Sequence, residues 1–444
     1  MFYLELLVVL AAIFIGARIG GIGLGVMGAV GLIILTFVFN LQPTAPPIDV
    51  ILIIIAVISA SAALQASQGL TYMVAIAEKM LRKNPKHITF VAPLVCYIFT
   101  FIAGTGHIAY SILPIISELA AKTGVRPERP LGISVIASQQ AITASPITAA
   151  TVALATLLAP QGIEIFDILK ICIPATIIGV IVAAFVSNKI GVELKDDPIF
   201  NEKLKDPEYV KMINEGTKPI ETSSIPKTAK ISVGIFLLSV CVIVLFGAIP
   251  SLRPSWAGAD GVMTPISMVS IIEMVMMSAA ALILIVSKVK VETVSSGNIF
   301  RAGNEAVIAI FGVAWMGDTF IKGNYAFIEG GIKDMVLANP WTFATALFVM
   351  SILLFSQAAT VRAIMPLGIA LGLPAGFLIA MFPSVNGYFF IPNYPTVIAA
   401  IGFDKTGTTR VGKYVLNHSF MIPGIISTVT AVAVGFLMVF LFGI

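Results

Sequence analysis

Long apolar stretches recur from one end of this chain to the other and constrain its fold more than any other feature. Ile48–Ala66, Ile163–Val186 and Pro265–Ser287 are examples, and roughly 20 apolar residues are what a helix needs to cross a bilayer. Of the 444 residues, 58% are hydrophobic and only 11% are charged. A water-soluble globule could not bury that much apolar surface. The sequence therefore predicts an all-α polytopic membrane protein.

Basic residues predict the side of the membrane on which each loop lies, because Lys and Arg concentrate in short cytoplasmic loops. Arg18 places the first turn inside, residues 40–49 carry no basic residue, and four basic residues crowd 79–86. The long hydrophilic segment 189–230 holds eight Lys and eight acidic residues and is predicted to be a cytoplasmic linker. Counting the crossings then places both termini in the periplasm.

Two segments of the first half are apolar but interrupted. Residues 88–121 have basic residues beyond both ends and are broken midway by "GTGH" (104–107). This pattern indicates a re-entrant hairpin, with two short full spans as the alternative. The following helix, 131–158, contains the polar stretch "SQQAITASPIT" (138–148), and the proline and hydroxyls there predict an unwound middle.

The second half repeats this order after the linker. Hairpin 341–373 is broken by "SQAATVR" (356–362), and helix 375–400 contains "VNGYFFIPNYPT" (385–396). The motif "AEKMLRKNPKHIT" (77–89) returns as "IKDMVLANPWTFAT" (332–345) with most of its positive charge removed. An outward-facing copy explains this loss, since positive charge there would misorient the chain.

The prediction is thus two inverted repeats, 1–188 and 231–444, joined by the linker 189–230. They contain about ten transmembrane helices, two re-entrant hairpins and two interrupted helices. Inverted repeats with broken helices are typical of transporters that use alternating access around a central site.

The interrupted segments indicate what that site binds. Glu118 is their only acidic residue, whereas cation pathways usually carry intramembrane carboxylates. The positive ends of half-helices suit anions, and two pairs of them suit a dianion. The predicted substrate-binding residues are the polar and glycine residues at the breaks together with an intramembrane cation: Thr105, Gly106, Ser145, Thr148, Ser356, Gln357, Thr360, Arg362, Asn393 and Thr396.

Structural alternatives exist for these residues. Ser, Thr and Gly also serve as helix-packing residues in membranes, and Arg362 either binds the anion, snorkels or pairs with a hairpin carbonyl. His107 is either a proton carrier or a neutral hydrogen-bonding group. Glu273 either faces a polar neighbour or takes part in coupling. The three cysteines have no metal-site or disulfide spacing, so we expect no metal or cofactor.

Several motifs in chain order resemble one transporter family. They are "GARIGGIGLGVMGAVG", "EKMLRKNPK", "AGTGHIAYSILPII", "ASPITAA", "FSQAAT", "PNYPT" and "GTTRVGKYVLNHSFMIPG". Together they are similar to the anaerobic four-carbon dicarboxylate uptake (Dcu) family of bacterial inner-membrane carriers. The resemblance implies exchange of external fumarate, malate or aspartate for internal succinate, with small dicarboxylates as partners and no nucleic acid.

The Dcu family is itself similar to the larger ion-transporter superfamily. That resemblance implies a scaffold that forms a homodimer and an elevator-like motion. Sodium symporters of this superfamily carry a Ser-Asn-Thr motif at each hairpin tip, where this chain has "GTG" and "SQAAT". The difference favours exchange without sodium. A sodium- or proton-coupled symporter of other organic acids remains the alternative, while no catalytic constellation in the spans favours an enzyme.

Overall fold

The computed structural model describes residues 1–19, 21–215, 225–257, 263–324, 327, 338–354, 356–392, 394–414 and 416–444. These residues are mostly helical, as predicted. Two three-residue strands depart from the all-α expectation: β1 (Ser255–Ala257) and β2 (Met263–Pro265) pair antiparallel, with Ser255 opposite Pro265. They form a short ribbon between two apolar helices and leave the fold class unchanged.

The first half contains nine α-helices, with breaks near the predicted positions. They are α1 (Phe2–Ile19), α2 (Gly23–Phe37), α3 (Ile48–Ala66), α4 (Gly69–Lys83), α5 (Ile88–Ala103), α6 (Ala109–Lys122), α7 (Glu128–Gln140), α8 (Ala149–Leu158) and α9 (Ile165–Ser187). Helices α5 and α6 form the first hairpin segment, and α7 and α8 form the first interrupted helix. Helix α4 follows α3 at a bend of 72°.

The described part of the linker and the second half contains eleven more helices. They are α10 (Pro198–Lys203), α11 (Pro207–Glu215), α12 (Lys227–Ala248), α13 (Met268–Ser287), α14 (Val291–Ser295), α15 (Asn298–Gly323), α16 (Trp341–Leu354), α17 (Gln357–Ala370), α18 (Ala375–Met381), α19 (Pro395–Phe403) and α20 (Met421–Phe442). A 3-10 segment, Phe382–Phe389, joins α18 to the second break. Helices α16 and α17 form the second hairpin segment.

Six helices among the described residues are long and apolar enough to cross a membrane, or seven if α3 and α4 count as one bent span. Several shorter apolar helices accompany them, as expected where spans are interrupted. The chain therefore has the helices of a multi-pass membrane protein. The total of about ten crossings and the repeat boundaries stay predictions.

The helices pack into two groups. The scaffold group consists of α1, α2, α3, α12, α13 and α15, in which α2 packs on α15 and α3 packs on α13. The core group consists of α5 to α9 and α16 to α20, centred on the contact between α9 and α20. Contacts between the groups run mainly through α15 with α17 and α3 with α8. Each group contains helices from both halves of the chain.

Corresponding helices of the two halves make reciprocal contacts. In the core group, α6 of the first hairpin segment packs on α19 of the second interrupted helix, and α17 packs on α8 in the same way. Each hairpin segment therefore meets the interrupted helix of the other half. This exchange brings the four breaks towards one another.

The first hairpin segment returns towards its starting point. Arg82, at the end of α4, lies 3.9 Å from Glu118 near the end of α6, and α6 also contacts the 3-10 turn Pro85–His87 that precedes α5. The chain thus enters through α5, turns at 104–108 and comes back through α6. This path is compatible with a re-entrant hairpin and with the alternative of two short full spans, so the hairpin stays a prediction.

The described part of the linker is docked rather than extended. Arg126 Nη1 lies 2.5 Å from Asp197 Oδ2, and Arg129 Nη1 lies 3.0 Å from Glu193 Oε1. Lys203 Nζ donates a 3.0 Å hydrogen bond to the carbonyl oxygen of Lys405. The linker is thereby attached to the loops at the ends of the core group.

Two sequence predictions fall on undescribed positions. Most of the second copy of the repeated motif, 328–337, and the candidate site residue Asn393 lie outside the described residues.

Candidate functional site

A cavity of about 520 Å³ lies where the breaks of the core group face the scaffold group. Six of the ten predicted site residues line it: Thr105, Gly106, Thr148, Ser356, Gln357 and Thr396. The scaffold contributes Gly16, Gly21, Leu24 and three residues of α15. Residues almost 300 positions apart in sequence therefore share one cavity.

Four helix N-termini meet at this cavity. Residues 105–107 precede α6, 148–150 begin α8, 356–358 begin α17, and 394–396 begin α19. The first N–H groups of a helix have no partner within it, and the helix dipole is positive at this end. Two of these termini come from each half of the chain, so the cavity has an arrangement that favours anions.

Hydroxyl groups define where three of these helical segments begin. Ser356 Oγ accepts a hydrogen bond from the N–H of Ala359 at 3.2 Å, and Thr148 Oγ1 accepts one from the N–H of Thr151 at 3.4 Å. Thr105 Oγ1 accepts from the N–H of His107 at 3.3 Å. Such N-caps satisfy one free N–H each, so several others at the cavity remain for a ligand.

Glycines allow the first hairpin tip to turn against the interrupted helix. Gly104 has φ +67°, a left-handed conformation that side chains rarely adopt, and a Cβ there would lie 2.8 Å from Ile147. A Cβ on Gly106 would lie 2.7 Å from Gln139 Nε2. A side chain at position 104 would strain the left-handed backbone, and one at position 106 would require the Gln139 amide to move. The "GTG" motif thus allows the hairpin tip to lie close to the interrupted helix.

Side-chain amides join the second hairpin tip to both interrupted helices. Gln357 Nε2 donates to the carbonyl oxygen of Gln139 at 3.2 Å and also to Asn386 Oδ1. Asn386 Nδ2 donates to Gln140 Oε1, and Gln140 Nε2 donates to Thr428 Oγ1 on α20, both at 3.2 Å. This amide network fixes the tip relative to the two breaks.

Sequence reasoning did not select Gln139, Gln140 or Asn386. All three lie in the polar stretches that interrupt the helices, and their amides would be costly to bury without partners. The cost of burying an unpaired amide is the signal in the sequence that could have identified these residues. The predicted site includes the amides of Gln357 and Asn393, and only the tertiary contacts show that Gln357 reaches Gln139 and Asn386.

Thr396 is the predicted site residue with the clearest binding capacity. Its side chain is 2% exposed and lines the cavity. Its Oγ1 makes no hydrogen bond with the part of the chain that the structure describes. Buried hydroxyls nearly always have a partner, so this group is suited to a bound ligand.

Three predicted residues do not line the cavity. Ser145 Oγ donates to the carbonyl oxygen of Phe101 at 2.7 Å, and Thr360 Oγ1 donates to that of Ser356 at 2.8 Å. Both hydroxyls therefore stabilise the breaks. Arg362 is buried and lies within electrostatic range of Asp318 on α15, which the sequence analysis did not select. A role for these three in binding stays a prediction.

The expectation of a site without carboxylates is wrong. Glu305, on scaffold helix α15, lines the cavity together with His107 and Tyr110 of the first hairpin segment. Its charge acts on His107. The sequence argument considered only the interrupted segments, whereas the cavity is closed by a helix outside them.

Glu273 does not line this cavity. It lines a second cavity of about 580 Å³, together with Glu164 and Arg253. Arg253 Nη1 donates to Glu164 Oε1 at 2.8 Å. That pair joins the start of α9, in the core group, to the loop after α12, in the scaffold.

The sequence matches the family model described as "anaerobic C4-dicarboxylate membrane transporter" over residues 1–443. The chain belongs to this family. This confirms the predicted Dcu family membership and shows that the protein is a membrane transporter rather than an enzyme.

Individual relatives agree with the family match. The chain is 41% identical to the anaerobic C4-dicarboxylate transporter DcuB of Escherichia coli over 448 residues, covering 100% of this chain and 99% of that one. It is 43% identical to the C4-dicarboxylate transporter DcuA of Wolinella succinogenes over 443 residues, covering 98% and 99%.

Solved structures with the same fold are more distant in sequence. The YdaH transporter of Alcanivorax borkumensis matches with a TM-score of 0.56 and 13% identity, covering 94% of this chain and 89% of that one. MtrF of Neisseria gonorrhoeae, from a class of antimetabolite efflux pumps, matches with a TM-score of 0.55 and 13% identity, covering 93% and 85%. These likenesses concern the fold alone.

Proposed function

We propose that this protein exchanges four-carbon dicarboxylates across the bacterial inner membrane, taking up fumarate, malate or aspartate and releasing succinate. The observation that carries the proposal is the meeting of four helix N-termini at one cavity. Each half contributes two of them, which gives two positive poles for two carboxylates. Relatives named as C4-dicarboxylate transporters, more than 40% identical over nearly full length, support the substrate class.

Transport by an elevator-like motion fits the division into two helix groups. The core group carries most of the cavity lining, and the scaffold group closes one side through α1, α2 and α15. Movement of the core group along the scaffold would carry the hairpin tips and the bound anion together. We further propose that the scaffold forms a homodimer, which the mass of the detergent-purified protein would test.

The contacts between distant loops support the proposed sidedness. Loops predicted to be cytoplasmic meet one another, as in the pairs Arg126–Asp197 and Lys203–Lys405. Segments predicted to be periplasmic also meet, as in Glu164–Arg253. The cavity lies beside Gly16 and Gly21, which flank Arg18 in a turn predicted to be cytoplasmic. We therefore propose that the described state faces inward.

Counterflow in proteoliposomes tests the substrate class. Vesicles loaded with unlabelled succinate should accumulate labelled succinate, and external fumarate, malate and aspartate should compete. Lactate, with one carboxylate, and citrate, with three, are the controls and should compete poorly. Equal competition by lactate would contradict a site with two poles for carboxylates, and the absence of any succinate counterflow would contradict the proposed exchange.

A cation-coupled symporter is the second candidate, because Glu305 places a carboxylate in the cavity. The same vesicles distinguish the two modes. An exchanger needs dicarboxylate on both sides, whereas a symporter accumulates substrate into empty vesicles when a sodium or proton gradient is imposed.

A further inference from the structure

Glu305 has an unusual position for an anion transporter. It lies on the scaffold helix α15, whereas the four helix N-termini at the cavity belong to the core group. A Cβ on Gly21, in the turn between α1 and α2, would lie 3.9 Å from its carboxyl group. Glu305 is exposed and lines the cavity. A negative charge therefore faces the site proposed to bind a dianion.

Among the residues that the structure describes, Glu305 forms no ion pair that would cancel this charge. The remaining titratable side chains that line the cavity are His107, Tyr110 and Tyr394. Of the helices that pack against α15, α2 has no titratable residue, and α17 contributes Arg362, which does not line the cavity.

Other charged residues of these elements also lie outside the cavity lining. They are Glu5 and Arg18 on α1, Glu292 on α14, and Arg301, Asp318 and Lys322 on α15 itself. The charge of Glu305 acts on His107, which lines the same cavity.

We infer that Glu305 is a release residue, whose negative charge lowers the affinity of the inward-facing cavity for the dicarboxylate. The inference rests on the proposed function, since it requires an anionic substrate. When the core group moves away from α15, the site loses this neighbour and binds the anion more tightly. The scaffold thereby makes the two orientations of the carrier unequal, with release favoured on the side where Glu305 is present.

Like-charge repulsion gives the direction of the effect. A carboxylate beside the bound dianion opposes binding, so removing the charge of Glu305 should raise the affinity for the dicarboxylate on this face.

The test measures direct binding of fumarate to detergent-purified protein, in the parent chain and in Glu305→Gln, Glu305→Asp and Glu292→Gln. Fumarate is suitable because both of its carboxylates are ionised near pH 7. We expect Glu305→Gln to bind fumarate about tenfold more tightly than the parent at that pH, the size expected for one charge acting on a dianion in a partly hydrated cavity.

Two control variants separate charge from shape. Glu305→Asp keeps the charge and should bind fumarate like the parent. Glu292→Gln removes an exposed carboxylate from α14, outside the cavity, and should also bind like the parent.

The possible outcomes distinguish this inference from the proposed function. Equal fumarate affinity in the parent and Glu305→Gln would overturn the role of Glu305 and leave the proposed function intact. Weaker binding in Glu305→Gln, especially with lost dependence on sodium, would also overturn it and indicate a cation ligand. If neither protein bound any dicarboxylate, the proposed function itself would fail.

Discussion

At the residue scale, the cavity depends on polar groups held at the ends of helices. Thr105 and Gln357 stand at the two hairpin tips, and both line the cavity. Thr105→Val and Gln357→Leu should each weaken succinate binding by roughly ten- to a hundredfold, the cost of losing about 1.5–3 kcal/mol from a hydrogen bond to a charged group. Isothermal titration of succinate into the purified variants measures this loss of affinity.

Ser138→Ala provides the matched control for these substitutions. Ser138 is buried, its Oγ donates to the carbonyl oxygen of Val135 in its own helix at 2.8 Å, and it does not line the cavity. Removing the Ser138 hydroxyl should therefore change succinate affinity much less than the substitutions at the hairpin tips do. Tip variants that bind succinate like the parent would show that the site lies elsewhere.

Thr396 allows binding to be separated from stability. Valine has nearly the same shape as threonine, and Thr396 Oγ1 has no hydrogen bond within the described part of the chain. Thr396→Val should therefore leave the thermal stability of the substrate-free protein unchanged or slightly raised, while succinate affinity falls about tenfold. Thermal unfolding with and without succinate measures both effects. A large loss of stability without substrate would mean that the hydroxyl has a structural partner.

At the element scale, the linker is held by ion pairs of different burial. The side chains of Arg126 and Asp197 are each 5% exposed, whereas Glu193, paired with Arg129, is 56% exposed. Burial by itself would raise the pKa of Asp197, but the N–H of Phe200 and the guanidinium of Arg126 lower it below its usual value. The Asp197 contact therefore stabilises docking at neutral pH, and this contribution is lost only as pH falls through that lowered pKa.

Asp197→Asn should loosen the linker more than Glu193→Gln does. The first change weakens a buried charge-assisted contact by about 1–3 kcal/mol, while the second affects a pair that water already screens. Limited trypsin digestion at neutral pH should cleave the linker faster in Asp197→Asn. Equal cleavage rates in the two variants would show that the linker is held by other contacts.

At the scale of the whole molecule, transport by an elevator requires the core group to move relative to the scaffold. A Cβ on Gly317 of α15 would lie 4.0 Å from the Cα of Ala363 on α17. A disulfide between Gly317→Cys and Ala363→Cys should therefore stop counterflow while succinate binding persists, and reduction should restore transport. Each single cysteine is the control. Undiminished transport by the fully cross-linked protein would contradict motion at this contact.

The inverted repeat predicts opposite sides for its two motif copies. Lys83 and Ala338 are both exposed, and the prediction places the first in the cytoplasm and the second in the periplasm. In a Cys241→Ser background, which removes the exposed native cysteine, an impermeant thiol reagent on intact cells should label Ala338→Cys but not Lys83→Cys. Equal labelling of both positions would rule out the inverted arrangement.

The sequence alone determined the features that depend on local chemistry. Apolar length indicated membrane helices, and the breaks predicted at 104–107, 138–148 and 385–396 could be recognised because glycine, proline and buried polar groups interrupt backbone hydrogen bonding wherever they stand. The motifs also indicated the transporter family that the comparisons confirm. These properties depend only on residues that are close together in the sequence.

Only the tertiary structure decided which residues share the cavity. Arg362 does not line the cavity and lies within electrostatic range of Asp318 on α15, so its part in binding stays a prediction. Glu305 enters the cavity from a scaffold helix, and Gln139 and Asn386 meet Gln357 across three separate segments. Contacts between residues more than 200 positions apart arise from how the helices pack, and no local pattern in the sequence records that packing.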